Sequence, residues 1–163
     1  IANYLENLEQ TQLFKDFKEQ NPESYLSHFF SPIKADFSLI GWEVGFYSPQ
    51  INKITVFKIL ESGEFEIKPA DDVFTNKPGS IEKLEIDEIK LNFGQALDIY
   101  KEKRAEFFTQ EAFGDGFIIL QKIQQKNVWN FTFITKSLKF ANIKLDAGDG
   151  KVVSHEAVEL VQK

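Results

Sequence analysis

By residue type, the parts of this chain best equipped for chemistry are its two histidines, His28 and His155, and the acidic loop Leu145-Asp146-Ala147-Gly148-Asp149-Gly150-Lys151. An imidazole titrates near neutral pH and can serve as a base or a metal ligand. The carboxylates of Asp146 and Asp149 are oxygen donors of the kind that hold calcium. Zinc asks for more: the chain has no Cys, so two histidines would need acidic residues to complete a site. His28 sits in Ser24-Tyr25-Leu26-Ser27-His28-Phe29-Phe30, an apolar setting that suits a satisfied, partly buried ring better than a solvated base. His155 has Glu156 beside it.

Spacing decides between three readings of the acidic loop. A phosphate-binding loop needs Gly five residues before its Gly-Lys pair and Ser or Thr after it, but those positions hold Leu145 and Val152. A calcium loop aligned on Gly150 puts Glu156 at the twelfth position, yet its first and third ligands would be Leu145 and Ala147, which have no side-chain oxygen. Only an irregular site at Asp146 and Asp149 would remain for a metal. A hairpin turn needs nothing more: Asp149-Gly150 can supply the positive φ angles of a primed turn, and apolar alternation flanks both sides.

Other constellations are thin. Asp71-Asp72, Glu85 with Asp87, and Glu111 with Asp115 could approach one another, but acid–base work needs a buried pair with separated pKa values. No nucleophile elbow, Ser-x-x-Lys motif or dinucleotide loop is present. No cofactor is implied and no catalytic residue is assigned. Asn130-Phe131-Thr132 forms a glycosylation sequon that falls inside a strand pattern.

The elements that must position these residues follow from composition and period. A chain of 163 residues, 42% apolar with 17 Phe, can bury a substantial core. The net charge is −6 and Arg104 is the only Arg, which speaks against nucleic acid as a partner because phosphate and base-edge contacts draw heavily on Arg. Lys101-Glu102-Lys103-Arg104 reads as the solvated face of a helix. No apolar run approaches the ~20 residues of a membrane span, and the acidic, amphipathic opening is unlike a signal peptide. A cytoplasmic location is expected, or export with a leader already removed.

Tyr4, Leu5, Leu8, Leu13, Phe14 and Phe17 recur at helical spacing, as one helix or a broken pair. Asn21-Pro22-Glu23-Ser24 predicts a cap for a second short helix carrying Tyr25, Leu26, Phe29 and Phe30. From Phe37 the period becomes two. Trp42, Val44 and Phe46 alternate with polar or small residues, residues 53–60 return, and a short strand occupies 65–68. Residues 71–80 read as a linker between a unit at 1–70 and a unit at 81–163, which can pack as one domain. The second unit opens with a helix whose cap is Asn92, with Gln95 completing a capping box. Strands are expected at 117–125, 128–136 and 139–145, with a last one from about Lys151. The class is α+β: two helix-plus-antiparallel-meander units, with helices packed on antiparallel sheet.

The run from Asn142 to Val153 resembles the last hairpin of PepSY domains, in which a strand ends in Asp-Ala, a turn follows and a short strand begins with a charged residue and Val. The helix from Asn92, with Gln95-Ala96-Leu97, is similar to the helix that opens those domains. The match covers roughly residues 86–154, with Asp149 where the family commonly has Thr, and the first half would be a diverged second copy. The resemblance implies a cystatin-like helix on one face of an antiparallel sheet. It also implies a small binding or inhibitory module, often associated with peptidases or envelope proteins, and it brings no catalytic residues.

Trp129, Phe131 and Phe133 share one strand face, as do Trp42, Val44 and Phe46. These faces are core if helices cover them and an apolar binding or self-association surface if not. Asn130, Thr132 and Thr135 are assigned to the reverse face. The candidate binding residues are therefore Trp42, Phe46, Trp129, Phe131, Asn130 and Thr132. The expected function is a non-enzymatic binding or regulatory module that takes a protein or peptide at a sheet edge or aromatic face. The alternatives are a small-ligand carrier or enzyme with a pocket between helix and sheet, and a homodimer formed through sheet edges or an aromatic face.

Overall fold

The computed structural model describes residues 1–72 and 80–160. Helices α1 (Ala2–Glu9) and α2 (Gln12–Gln20) lead into strands β1 (Tyr25–Ile33), β2 (Glu43–Ser48), β3 (Lys53–Ile59) and β4 (Phe65–Asp72). A single 3-10 turn at Ile86–Glu88 precedes α3 (Phe93–Phe107), and β5 (Phe113–Ile123), β6 (Lys126–Thr135), β7 (Lys139–Asp146) and β8 (Val152–Glu159) follow. The eight strands form one antiparallel sheet in the order β4-β3-β2-β1-β5-β6-β7-β8. The expected linker falls partly on β4, which includes Asp71 and Asp72, while residues 73–79 lie outside the described residues.

Local chemistry accounts for the helix starts. Thr11 breaks the first apolar run into two helices, its hydroxyl accepting from the Phe14 amide. Asn92 and Gln95 form the reciprocal capping box of α3 at 2.8 and 2.9 Å, which satisfies two otherwise orphaned amides. All three helices lie over one sheet face. A cross-strand row of Phe57, Val44, Phe29, Leu120, Trp129 and Leu145 runs through β3, β2, β1, β5, β6 and β7, and each of these residues is fully buried. Phe14 and Phe17 of α2 meet Phe46 and Phe57. Tyr100 of α3 stacks on Phe131 at 4.5 Å and Phe133 at 5.4 Å. Trp42 extends the second cluster, its ring meeting those of Phe93 and Trp129. Burying a large apolar side chain contributes roughly 1.5–3 kcal/mol, so this layer supplies most of the drive to fold.

The structure corrects four expectations. Tyr25 to Phe30 is strand, not helix: the β1–β2 register shifts between Leu26 and His28, and this bulge puts Leu26 and Phe29 on one face at the three-residue spacing of a helix. Phe37 does not begin a strand but turns at φ 70°, and β2 starts at Glu43. Lys101 and Arg104 are not a merely solvated face. The guanidinium lies 4.0 Å from the Phe113 ring centroid and 4.7 Å from that of Phe37, and Lys101 Nζ also sits 4.7 Å over Phe37, so cation–π attraction holds the 34–42 loop to α3. Thr135 is buried and follows the parity of Phe133, leaving Ile134 as its exposed neighbour.

Candidate functional site

The aromatic candidates lie inside the molecule. Trp129 and Phe131 are fully buried and Trp42 and Phe46 nearly so, because α2 and α3 cover their faces. Asn130 and Thr132 stand on the opposite side of the sheet, so the six residues do not converge on one site. There Asn142 Nδ2 donates to Asn130 Oδ1 at 2.5 Å, Thr132 Oγ1 at 2.8 Å and the Phe131 carbonyl at 3.2 Å. Lys144 Nζ donates to Asn142 Oδ1 at 3.0 Å. This ladder of amides and a hydroxyl satisfies itself across β6 and β7.

The acidic loop is a turn whose carboxylates are spent on its own backbone. Asp146 Oδ1 accepts from the amides of Gly148 at 2.7 Å and Asp149 at 3.3 Å, and Asp149 Oδ1 accepts from Lys151 at 2.9 Å. Only Gly150 has positive φ, at 77°, so the expected pair of left-handed residues at Asp149-Gly150 is replaced by side-chain capping. The primed two-residue turn sits instead between β5 and β6, where Gln124 and Gln125 have φ 48° and 68° and the Gln125 amide donates to Glu82. Among the described residues no three His, Asp or Glu side chains are grouped to hold a metal ion.

The two histidines are far apart in role. His28 Nδ1 is hydrogen-bonded to Ser27 Oγ at 2.7 Å, and its ring lies over Gly45, which has no Cβ to obstruct it. Desolvation pushes its pKa down to about 4, against a smaller upward pull from Glu43, so the ring is neutral at pH 7. It lines a cleft of about 680 Å³ with Phe30, Ile119 and Ile81. His155, on β8, stacks on Phe107 at 3.9 Å between centroids and ties that strand to the end of α3.

Two further features were not singled out by the residue pattern. A cleft of about 510 Å³ opens between the start of α1, residues 86–92 and the first turn of α3, with Trp42, Phe93, Leu120 and Trp129 among its walls. The second feature is the outer strand β8, exposed from Val153 to Glu159. Ile134, Phe140 and Val158 are directly opposite one another on β6, β7 and β8 and form an apolar row on the face away from the helices. Ile134 is 40% and Val158 47% exposed. The strand itself was legible in the sequence; its place at the sheet edge was not.

The features define an α+β protein whose helices close one side of an antiparallel sheet and whose strand β8 lies at the sheet edge among the described residues. No family model matches the chain, and no curated protein matches it. Among solved structures it is similar in fold to a putative lipoprotein from Clostridium difficile 630, with a TM-score of 0.56, 16% sequence identity, and coverage of 92% of this chain and 97% of that one. No helix among the described residues is long and apolar enough to cross a membrane.

Proposed function

We propose that this chain is a non-enzymatic binding module that takes an extended segment of a partner protein as a ninth strand along β8. The observation that carries the reading is the contrast between the two sheet edges. β4 contains Pro69, which has no amide proton to donate, and its Lys68 pairs with Glu43; such features blunt an edge. β8 has no Pro or Lys. An added strand gains main-chain hydrogen bonds, and alternate side chains set its specificity. On the face away from the helices β8 presents Ser154, Glu156 and Val158, as their pairing with Lys144, Asn142 and Phe140 fixes. The matching partner alternates basic and apolar residues, with the base opposite Glu156 and the apolar group extending the Ile134–Phe140–Val158 row.

The test is anisotropy of a labelled octapeptide of alternating Lys and Val against the chain and its Val158→Lys and Glu156→Lys variants. Saturable binding weakened at least tenfold by either variant supports the reading. Binding indifferent to both, or a concentration-dependent dimer abolished by Val158→Lys, replaces it with another surface or with self-association.

The succession of helix and four-stranded meander on either side of residues 73–79 supports a finer reading, in which 1–70 and 81–163 are two related PepSY-like units. Hydrogen exchange of the whole chain distinguishes two opening free energies from one. The cytoplasmic placement expected from the sequence and the name of the lipoprotein point to different compartments, which cell fractionation separates.

A further inference from the structure

We propose that the partner strand carries an aromatic residue directly next to its basic one, the ring lying against His155 on the helix side of the sheet while the base lies opposite Glu156 on the other. This inference rests on strand addition at β8 and narrows the partner to a two-faced segment.

Neighbouring residues of a strand point to opposite faces. His155 pairs with Ile143, a fully buried residue of the core beneath the helices, so its ring projects on the helix side. Glu156 pairs with Asn142 and projects on the uncovered side. A strand laid along β8 sets consecutive residues opposite consecutive residues, with opposed Cβ atoms about 4.5–5.5 Å apart. Whatever faces His155 is therefore adjacent in sequence to whatever faces Glu156.

The surface around His155 is built of rings. The imidazole stacks on Phe107 with centroids 3.9 Å apart and planes 6° from parallel, and the Phe108 ring meets it nearly edge-on at 6.4 Å and 78°. His155 is exposed, and Phe107 and Phe108 are half-buried. Phe107 covers one face of the imidazole, which leaves the rest of that ring as surface at the level where a partner side chain would stand. Ala157, the next residue on this side of β8, is exposed and ends at a methyl group, so a large group beside the imidazole has room on that flank. Aromatic pairs contribute beyond the area they bury and are favoured between paired strands, so this side selects a ring over a short aliphatic or charged residue.

The experiment measures the anisotropy of two labelled octapeptides of one composition, Ser-Thr-Phe-Lys-Thr-Val-Thr-Ser and Ser-Phe-Thr-Lys-Thr-Val-Thr-Ser, with the full chain and its His155→Ala, His155→Phe and Glu156→Lys variants. In the first peptide Phe and Lys are adjacent and take opposite faces; in the second they share a face. The first should bind about three- to tenfold more tightly than the second. His155→Ala should abolish that difference, His155→Phe, which keeps a ring, should preserve it, and Glu156→Lys should weaken both peptides. Equal affinity of the two peptides for the unaltered chain, or a preference that His155→Ala leaves intact, overturns the aromatic contact, while weakening of both by Glu156→Lys still upholds strand addition. Binding of neither peptide overturns both.

Discussion

Replacing Gly45 with alanine probes the seat of the His28 ring. A Cβ at this position lies 2.1 Å from His28 Cε1, 2.5 Å from Nδ1 and 2.9 Å from Nε2, while carbons in contact sit about 3.5–4.0 Å apart. The ring must withdraw by about 1 Å or more. Leaving its rotamer costs about 0.5–1.5 kcal/mol, and surrendering the bond to Ser27 about 1 kcal/mol more. The expected loss is about 2 kcal/mol, or roughly 4–8 °C in Tm for a domain of this size. Urea unfolding at pH 7.5, read by tryptophan emission, measures it in four proteins: wild type, Gly45→Ala, His28→Ala and the double variant. With the imidazole gone the three atoms nearest the added methyl are gone too, and the alanine's restriction of the unfolded chain then makes the change neutral or slightly stabilising. A coupling near 2 kcal/mol is therefore expected. Equal costs in both backgrounds, or none in either, would refute the packing argument.

The pKa of His28 near 4 predicts a pH window. Above pH ~6.5 the ring is neutral folded and unfolded and contributes no pH dependence. Between ~6.5 and 4 the unfolded chain takes a proton that the folded one refuses, so stability falls by up to about 3 kcal/mol and levels off below 4; His28→Ala should flatten the urea midpoint across that range. Gly116→Ala should be the harshest small substitution, at about 3 kcal/mol or more by urea unfolding, because its Cβ would lie 2.0 Å from the Thr132 carbonyl oxygen, a backbone atom of the paired strand. Replacing Gln124-Gln125 with Asn-Gly should instead raise stability by about 1 kcal/mol in the same assay, since those residues adopt positive φ more easily. Arg104→Gln should lower Tm by several degrees, as it leaves Phe37, Tyr100, Phe113 and Phe133 without their shared cation.

The second half of the fold was largely legible in the sequence. The capping pair Asn92 and Gln95 fixes the start of α3, and strict alternation in β6 and β7 announces the strands within a few residues of where they lie. What was not legible is traceable to non-local geometry. The bulge beside His28 counterfeits helical spacing, and nothing within Ser24–Phe30 signals that β5, some ninety residues on, will pair with it. Arg104 resembles a solvated charge until the loop carrying Phe37 folds onto it. The aromatic candidates were identified as residue types, but whether Trp42 and Trp129 are core or exposed surface depends on where the helices come to rest, and the structure buries both.

The amide ladder on the uncovered face also governs how β6 and β7 align. Side chains alternate every residue, so sliding β7 by a single position would carry Asn142 to the helix-covered side, among Phe131, Phe133 and Tyr100. There it would lose all four of its bonds, at about 1–3 kcal/mol for each polar group left bare. The same slide would turn Ile143 and Leu145 out to water. The hairpin therefore carries a key cut in hydrogen bonds, and a mismatched pairing is rejected from both sides of the sheet at once.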